Sequence, residues 1–356
     1  MSGANDPLRN AELEAAILET PESADAYLVY GDWLLEHGDA LGELVTVQAT
    51  LAKLQKRAGK AKEKSALGKR EKLLRKEAEA RLGDLIGYEH TWSFGFLESL
   101  IVPEPTSTSY AAILAAPAAR FLRELDIDEI SFTAPRGGIH PTIAMLTRLG
   151  VPAALRKLAL LAEVFDPIRL GPIPPDLWSR LAAIEELTIR VAEVEPGKIV
   201  LPRLTTLALA TALTDAVLTA VAEAECPRLT SVQLDSVTQD VAVSAARMQP
   251  LFSHWAMAGT LRHLGVTEHD AGNELVAAVR ATGLVTQLTS LDLSRTHMTD
   301  EGAAAILENA AAFEHLESFN LAENDLSPSM TRNLEKRFDL AVDVEAQGMR
   351  YEPIEE

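Results

Sequence analysis

A single cysteine, Cys226, stands among 356 residues, which excludes an internal disulfide framework and fits a reducing compartment. Aromatic residues are scarce at 5% against 47% hydrophobic, so any core must be built from aliphatic side chains and alanine. No apolar run approaches the roughly 20 residues needed to cross a bilayer. The opening MSGANDPLRNAELEAAILE lacks a basic segment followed by an apolar one, so no signal peptide is expected and the protein is placed in the cytoplasm. Bases are short as well: 33 Lys and Arg face 52 Asp and Glu, for a net charge of −19. That balance disfavours nucleic acid as a general partner, because phosphate contacts need positive charge.

What the chain has is a spacing. Leu288, Leu291 and Leu293 read L-x-x-L-x-L, and Leu316, Phe319 and Leu321 repeat the pattern 28 residues later. Allowing Ile, Val and Phe, triplets begin at Leu97, Leu122, Leu155, Ile184, Leu204, Leu229, Leu261, Leu288 and Leu316, at a mean interval near 27. In a short strand alternate side chains share a face, so the fourth and sixth positions point into a core and the residues between them point away. A parallel neighbour requires a crossover, and about 20 residues leave room for a helix. Thr214 and Thr299 stand where such helices would need an N-cap. A segment at 337–344, RFDLAVDV, reads as a last strand closing the array.

A fixed period of this length is the signature of a solenoid. By repeat length and helical crossovers the array resembles leucine-rich repeats of the ribonuclease-inhibitor type. The resemblance implies an α/β fold: a right-handed solenoid with a parallel concave sheet and convex helices. It departs from that family at the ninth position, where the consensus has Asn. Only Asn324 fills it; Thr296, His269, Val237 and Ala212 stand there in other repeats. Irregular turns are expected at those places. Four prolines in 162–180 exclude a regular helix throughout, and an extended loop before a turn near Leu177 is expected instead. Pro135-Arg136-Gly137-Gly138 reads as another irregular crossover.

Ahead of the repeats, three helices are expected within 8–57. The second, about Ser23 to Glu36, carries Tyr27, Tyr30 and Leu34 on one stripe and stops at Gly38. Asp39 caps the third, which runs to about Arg57 with Leu41, Leu44, Val47, Leu51 and Leu54 facing inward. The words YLVYGDWLLEHGDALGELVTVQ resemble the repeat-companion domain that precedes repeat arrays in some large bacterial families. Tyr30, Asp32, Trp33, Leu34, Glu36, Gly38, Asp39, Glu43, Leu44 and Gln48 match its pattern, and WSFGFLESL at 92–100 extends it loosely. Gly31 replaces its usual Ala, Leu35 an acid and Ala40 a Pro, so packing is expected to differ there. The resemblance implies a repeat-bearing protein with no assigned activity. Two domains follow: residues 1–90, helical, and 91–356, an array of about nine repeats with a closing strand.

Charge is uneven in this region. Residues 1–48 hold ten acids and one base, whereas 49–82 hold twelve bases and four acids. Leu67, Leu74, Ala78 and Leu82 give the basic run a narrow apolar stripe, and Gly59 and Gly68 predict an interrupted hairpin. This segment, 53–82, keeps open a tether to nucleic acid or to an anionic membrane.

Chemistry is sparse. His254, His263, Glu268, His269 and Asp270 have no recognised metal-ligand spacing, and no phrase activates a nucleophile. Cys226 reads as filler. No catalytic, cofactor-binding or metal-binding residue is assigned, and no cofactor is expected. The concave positions are small and polar, with an acidic bias. Partner contacts are assigned there to Glu124, Asp126, Asp128, Glu186, Arg190, Gln233, Asp235, His263, Asp292 and Asn320. The reading is a monomeric, non-enzymatic scaffold for a protein of basic or hydroxyl-rich surface. The alternative, by fold analogy with solenoids that act on small GTPases, is a regulator of a nucleotide-binding partner.

Overall fold

The computed structural model describes residues 9–55, 59–130, 133–162, 167–237, 245–339, 342–345 and 347. The chain forms two compact units: Met1–Glu129 with Arg148–Leu158, and Ile130–Thr147 with Ala159–Glu356.

The first unit opens with α1 (Ala11–Glu19), α2 (Ala24–Glu36), α3 (Leu41–Gln55) and α4 (Ala61–Glu79). Asn10 caps α1, accepting from the Leu13 N–H, and Asp39 accepts from the Leu41 N–H at 3.0 Å at the start of α3. The expected end of α3 at Arg57 lies outside the described residues. Tyr27, Tyr30 and Leu34 are buried in one cluster with Leu41, Leu44 and Val47, and Trp33 packs against it. Gly31 does more than replace an alanine. A Cβ on Gly42 would lie 2.3 Å from the Gly31 carbonyl oxygen, so α2 and α3 meet backbone to backbone there, and a Cβ on Gly31 would press on the Val45 side chain at 2.9 Å. The basic segment departs from expectation at Gly68. Gly59 takes a positive φ ahead of α4, and α4 runs unbroken through Gly68 because Leu74 and Ala78 anchor it in the same cluster.

Two strands follow, β1 (Glu89–Ser93) and β2 (Phe96–Pro103), paired antiparallel. Gln48 of α3 joins this turn to the helices. Its Oε1 accepts from the Gly95 N–H at 2.7 Å and its Nε2 donates to Glu71 of α4 at 3.0 Å. This is the physical link between the two sequence phrases read as one motif. After α5 (Ser107–Ala115), capped by a Thr106–Ser109 box, β3 (Glu124–Asp128) pairs with β2 in parallel. Then α6 (Pro141–Leu149) and β4 (Lys157–Leu161) each cross a unit boundary.

In the second unit, β5 (Arg169–Pro172), α7 (Pro175–Arg180), β6 (Glu186–Arg190) and β7 (Glu193–Glu195) come first. The array continues with β8 (Thr206–Thr211), α8 (Asp215–Ala222), β9 (Ser231–Ser236), α9 (Ala245–Ala258), β10 (His263–Thr267) and α10 (Gly272–Ala281). It ends with β11 (Ser290–Asp292), α11 (Asp300–Glu308), β12 (Ser318–Asn320), α12 (Pro328–Phe338) and β13 (Val342–Asp343). Strands β6, β8, β9, β10, β11, β12 and β13 are neighbours in that order, and the registers between them are parallel. Each repeat buries its fourth and sixth positions, as in Leu187 and Ile189, Leu207 and Leu209, Val232 and Leu234, or Phe319 and Leu321. Each such side chain contributes about 1.5–3 kcal/mol by leaving water. Thr214 and Thr299 cap α8 and α11 through their hydroxyls, as the sequence required.

Two expectations are corrected here. Residues 337–344 are not one strand: α12 continues through Phe338 and the strand is Val342–Asp343, with 340–341 outside the described residues. Phe338 stays helical because it packs its ring edge-on against Phe319. The proline-rich stretch is not only loop. Arg169–Pro172 pairs with Glu193–Glu195 in a second, two-stranded parallel sheet, and Pro175–Arg180 is helical from a proline at its first turn. Residues 163–166 of that stretch lie outside the described residues.

Candidate interaction face

The side of the strands turned away from the helices carries the assigned residues. In the second unit they fall into cross-strand rows. Glu186, Thr206, Ser231, His263, Ser290 and Ser318 are register partners in one row. Thr188, Ala208, Gln233, Gly265, Asp292 and Asn320 form the next. Arg190, Ala210, Asp235 and Thr267 form the third. Seven of the ten assigned residues therefore share one surface, and the spacing of the triplets is what aligns them.

Their chemistry is unequal. Asp292 accepts from the Ser294 N–H at 2.9 Å and Asn320 from the Ala322 N–H at 3.0 Å. These side chains are engaged in holding the turn that ends each strand, which leaves them less free for a ligand. Gln233, Asp235 and Thr267 form a network: the Gln233 amide donates to Asp235 at 2.6 Å and to Thr267 Oγ1 at 3.2 Å, and the Thr267 hydroxyl donates to Asp235. Thr267 is buried within this network. Arg190 is the opposite case. Its Nε is buried with no hydrogen-bond partner, beside Ala210 on the next strand. A desolvated guanidinium N–H without an acceptor is costly, and an incoming oxygen would satisfy it.

In the first unit, Glu124, Asp126 and Asp128 lie on one face of β3. Burial pushes the Asp126 carboxyl above its ordinary range, Glu124 and Asp128 add to that, and Lys157 opposes it. Lys157 also meets Glu124 at 3.6 Å.

Sequence reasoning missed the loops that follow the strands. Glu104, Glu129, Glu268, Arg295 and Glu323, each one residue before the ninth position, all take a positive φ between 42° and 56°. On three consecutive repeats this lines up Glu268, Arg295 and Glu323, with Arg295 2.8 Å from Glu268 and 3.8 Å from Glu323. His297 sits likewise between Asp270, at 3.7 Å, and Asp325, at 3.0 Å. The signal was present as a period of about 27 in charged residues, but only the aliphatic period was counted. Among the described residues no group of three or more His, Cys, Asp or Glu could hold a metal ion.

The ninth position is met by varied chemistry. Buried Asn324 accepts from the Thr296 and Met298 N–H groups and donates to the Leu293 and Leu321 carbonyls. Buried His269 accepts from the Ala271 N–H through Nδ1 at 3.1 Å, entering α10 as His140 enters α6. A recess of about 460 Å³ lies among Arg136, Arg169, Glu193, Glu195 and Thr214; guanidinium and carboxylate groups both line it, so charge alone selects no ligand. Burial pushes the Cys226 thiol up to about 11, which keeps it protonated and unreactive at neutral pH. Among the described residues no helix is long and apolar enough to cross a membrane.

The leucine-rich repeat family model matches residues 286–307, from just before the Leu288 triplet into the last turn of α11. No curated protein matches. Among solved structures, a structural-genomics target protein from Bacteroides fragilis aligns over 66% of this chain and 69% of its own, with a TM-score of 0.58 and 20% identity, a likeness of fold. Repeat spacing, parallel strands with helical crossovers and the family match agree: the fold is that of a leucine-rich repeat solenoid, with the repeat itself matched at residues 286–307.

Proposed function

We propose that this chain is a non-enzymatic scaffold that binds a protein through the helix-free face of β6 to β12. Leucine-rich repeats as a family serve protein interaction, and this face offers the matching surface. The observation that carries the reading is the floor around Arg190. Ala208 and Ala210 keep it low, Arg190 presents a guanidinium N–H without an acceptor, and Asp235 and Gln233 stand on the far side. A partner segment lying there would offer an oxygen to Arg190 and a basic or hydroxyl group to Asp235 and Glu186. In this proposal the partner is cytoplasmic, the chain acts as a monomer without a cofactor, and residues 1–90 are a companion domain covering the first strands of the array 91–356.

Filling the floor tests it. Ala208→Arg with Ala210→Arg leaves the buried strand positions untouched. Affinity capture from native extract is expected to recover a protein with the wild type and lose it with this variant. Equal recovery with both would move the binding face elsewhere.

A further inference from the structure

Two sets stand out among the basic groups of α4 and its flank. One set is tied to acids: Arg70 meets Glu43 of α3 at 2.7 Å, Arg75 meets Glu79 of the same helix at 3.3 Å, Arg81 meets Asp39 at 3.6 Å and Lys60 meets Glu63 at 2.8 Å. The other set is Lys62, Lys69, Lys72 and Lys76. All four are exposed and make no ion pair or hydrogen bond with any described residue.

These four are not scattered. At about 100° per residue they fall within roughly 80° of helix surface, and from Lys62 to Lys76 they span about 21 Å of axis. Leu74 and Ala78 anchor the opposite side in the core, so the stripe faces outward along its whole length. Leu73 borders the stripe, about 20° beyond Lys62 around the helix, and is 49% exposed. Glu63 and Glu77 stand on the flank beyond Leu73, and Glu79, paired with Arg75, stands on the other.

We propose that this stripe is a docking face for a lipid bilayer bearing anionic headgroups. Lysine is a compact charge without a directional fork, suited to a diffuse field of headgroups more than to paired recognition of one phosphate. A line of lysines bordered by an exposed leucine is the arrangement that sits at a headgroup boundary, ammonium groups outward and the apolar side chain inward. A phosphodiester backbone offers Leu73 nothing, and the stripe carries no aromatic ring on which a base could stack. The acidic remainder of the chain does not cancel the attraction, because charges beyond about 8 Å are largely screened at physiological salt.

The test uses the full chain with vesicles of phosphatidylcholine alone, with vesicles containing about one-third phosphatidylserine, and with a labelled duplex DNA. Sedimentation is expected to show binding to the anionic vesicles only, weakened by salt. Replacing all four lysines by Gln is expected to lower the partition coefficient by roughly a hundredfold or more, with an unchanged circular dichroism spectrum. Leu73→Ser is expected to weaken vesicle binding by about three- to tenfold. The proposal is overturned by an absence of vesicle binding, by vesicle binding that survives loss of the lysines, or by lysine-dependent binding to the duplex with none to vesicles.

Discussion

Gly265 lies directly opposite Gln233 in the β9–β10 ladder, and the Gln233 side chain occupies the space a Cβ at 265 would take, 1.6 Å from Oε1. The glycine is therefore part of the Gln233–Asp235–Thr267 network although it contributes no atom to it. Because the obstruction is the end of a flexible side chain, Gly265→Ala is expected to fold and to cost under about 1 kcal/mol. The cost is expected to vanish in the Gly265→Ala, Gln233→Ala pair, since the two act on one contact. Urea denaturation of the double-mutant cycle measures this; additive losses would show that Gln233 is not what meets the new methyl.

Asn324 carries a heavier structural duty. Its amide satisfies backbone groups on two consecutive repeats in a site from which water is excluded. Asn324→Ala strands several of them, at about 1–3 kcal/mol for each group left without a partner. A total loss of about 3 kcal/mol or more is expected, with the amide protons of Thr296 and Met298 losing protection first in hydrogen exchange. A loss below about 1 kcal/mol, within the range of ordinary surface changes, would contradict this.

Buried Glu14 gives stability a pH dependence. Burial alone would raise its carboxyl, but Arg9, Arg120 and the Tyr30 hydroxyl outweigh burial and hold it below the ordinary range. A carboxylate depressed in the folded state stabilises above its unfolded pKa and ceases to do so as pH falls through the folded value. Glu14→Gln is thus expected to destabilise the chain at pH 7 and to become nearly neutral well below 4.5. Denaturation series at neutral and acid pH read the difference; a penalty independent of pH would assign the loss to packing instead.

The fold was legible because its signal is repeated. Leu125 and Ile127, or Leu264 and Val266, need only alternate to be placed correctly, and every repeat tests the same rule. What failed to read was decided by contacts distant in sequence. Gly68 looks like a helix break until Leu74 and Ala78 are seen anchored in the helical core. Residues 169–172 look like proline-rich loop until Glu193–Glu195 pairs with them. His269 takes a place written for asparagine because its ring nitrogen reaches the same class of backbone N–H. The candidate face was legible as positions but not as energies. Nothing in the string distinguishes Asp292, bound to its own turn, from Arg190, whose N–H has no acceptor.

The loop charges that follow the strands carry one more consequence. From Glu268 to Arg295 to Glu323 the sign inverts at each step, and neighbouring strands stand about 4.8 Å apart. A segment laid across that edge and slipped by a single strand would find repulsion wherever it had found attraction. The edge thus behaves as a graduated rule, fixing the phase of whatever crosses it.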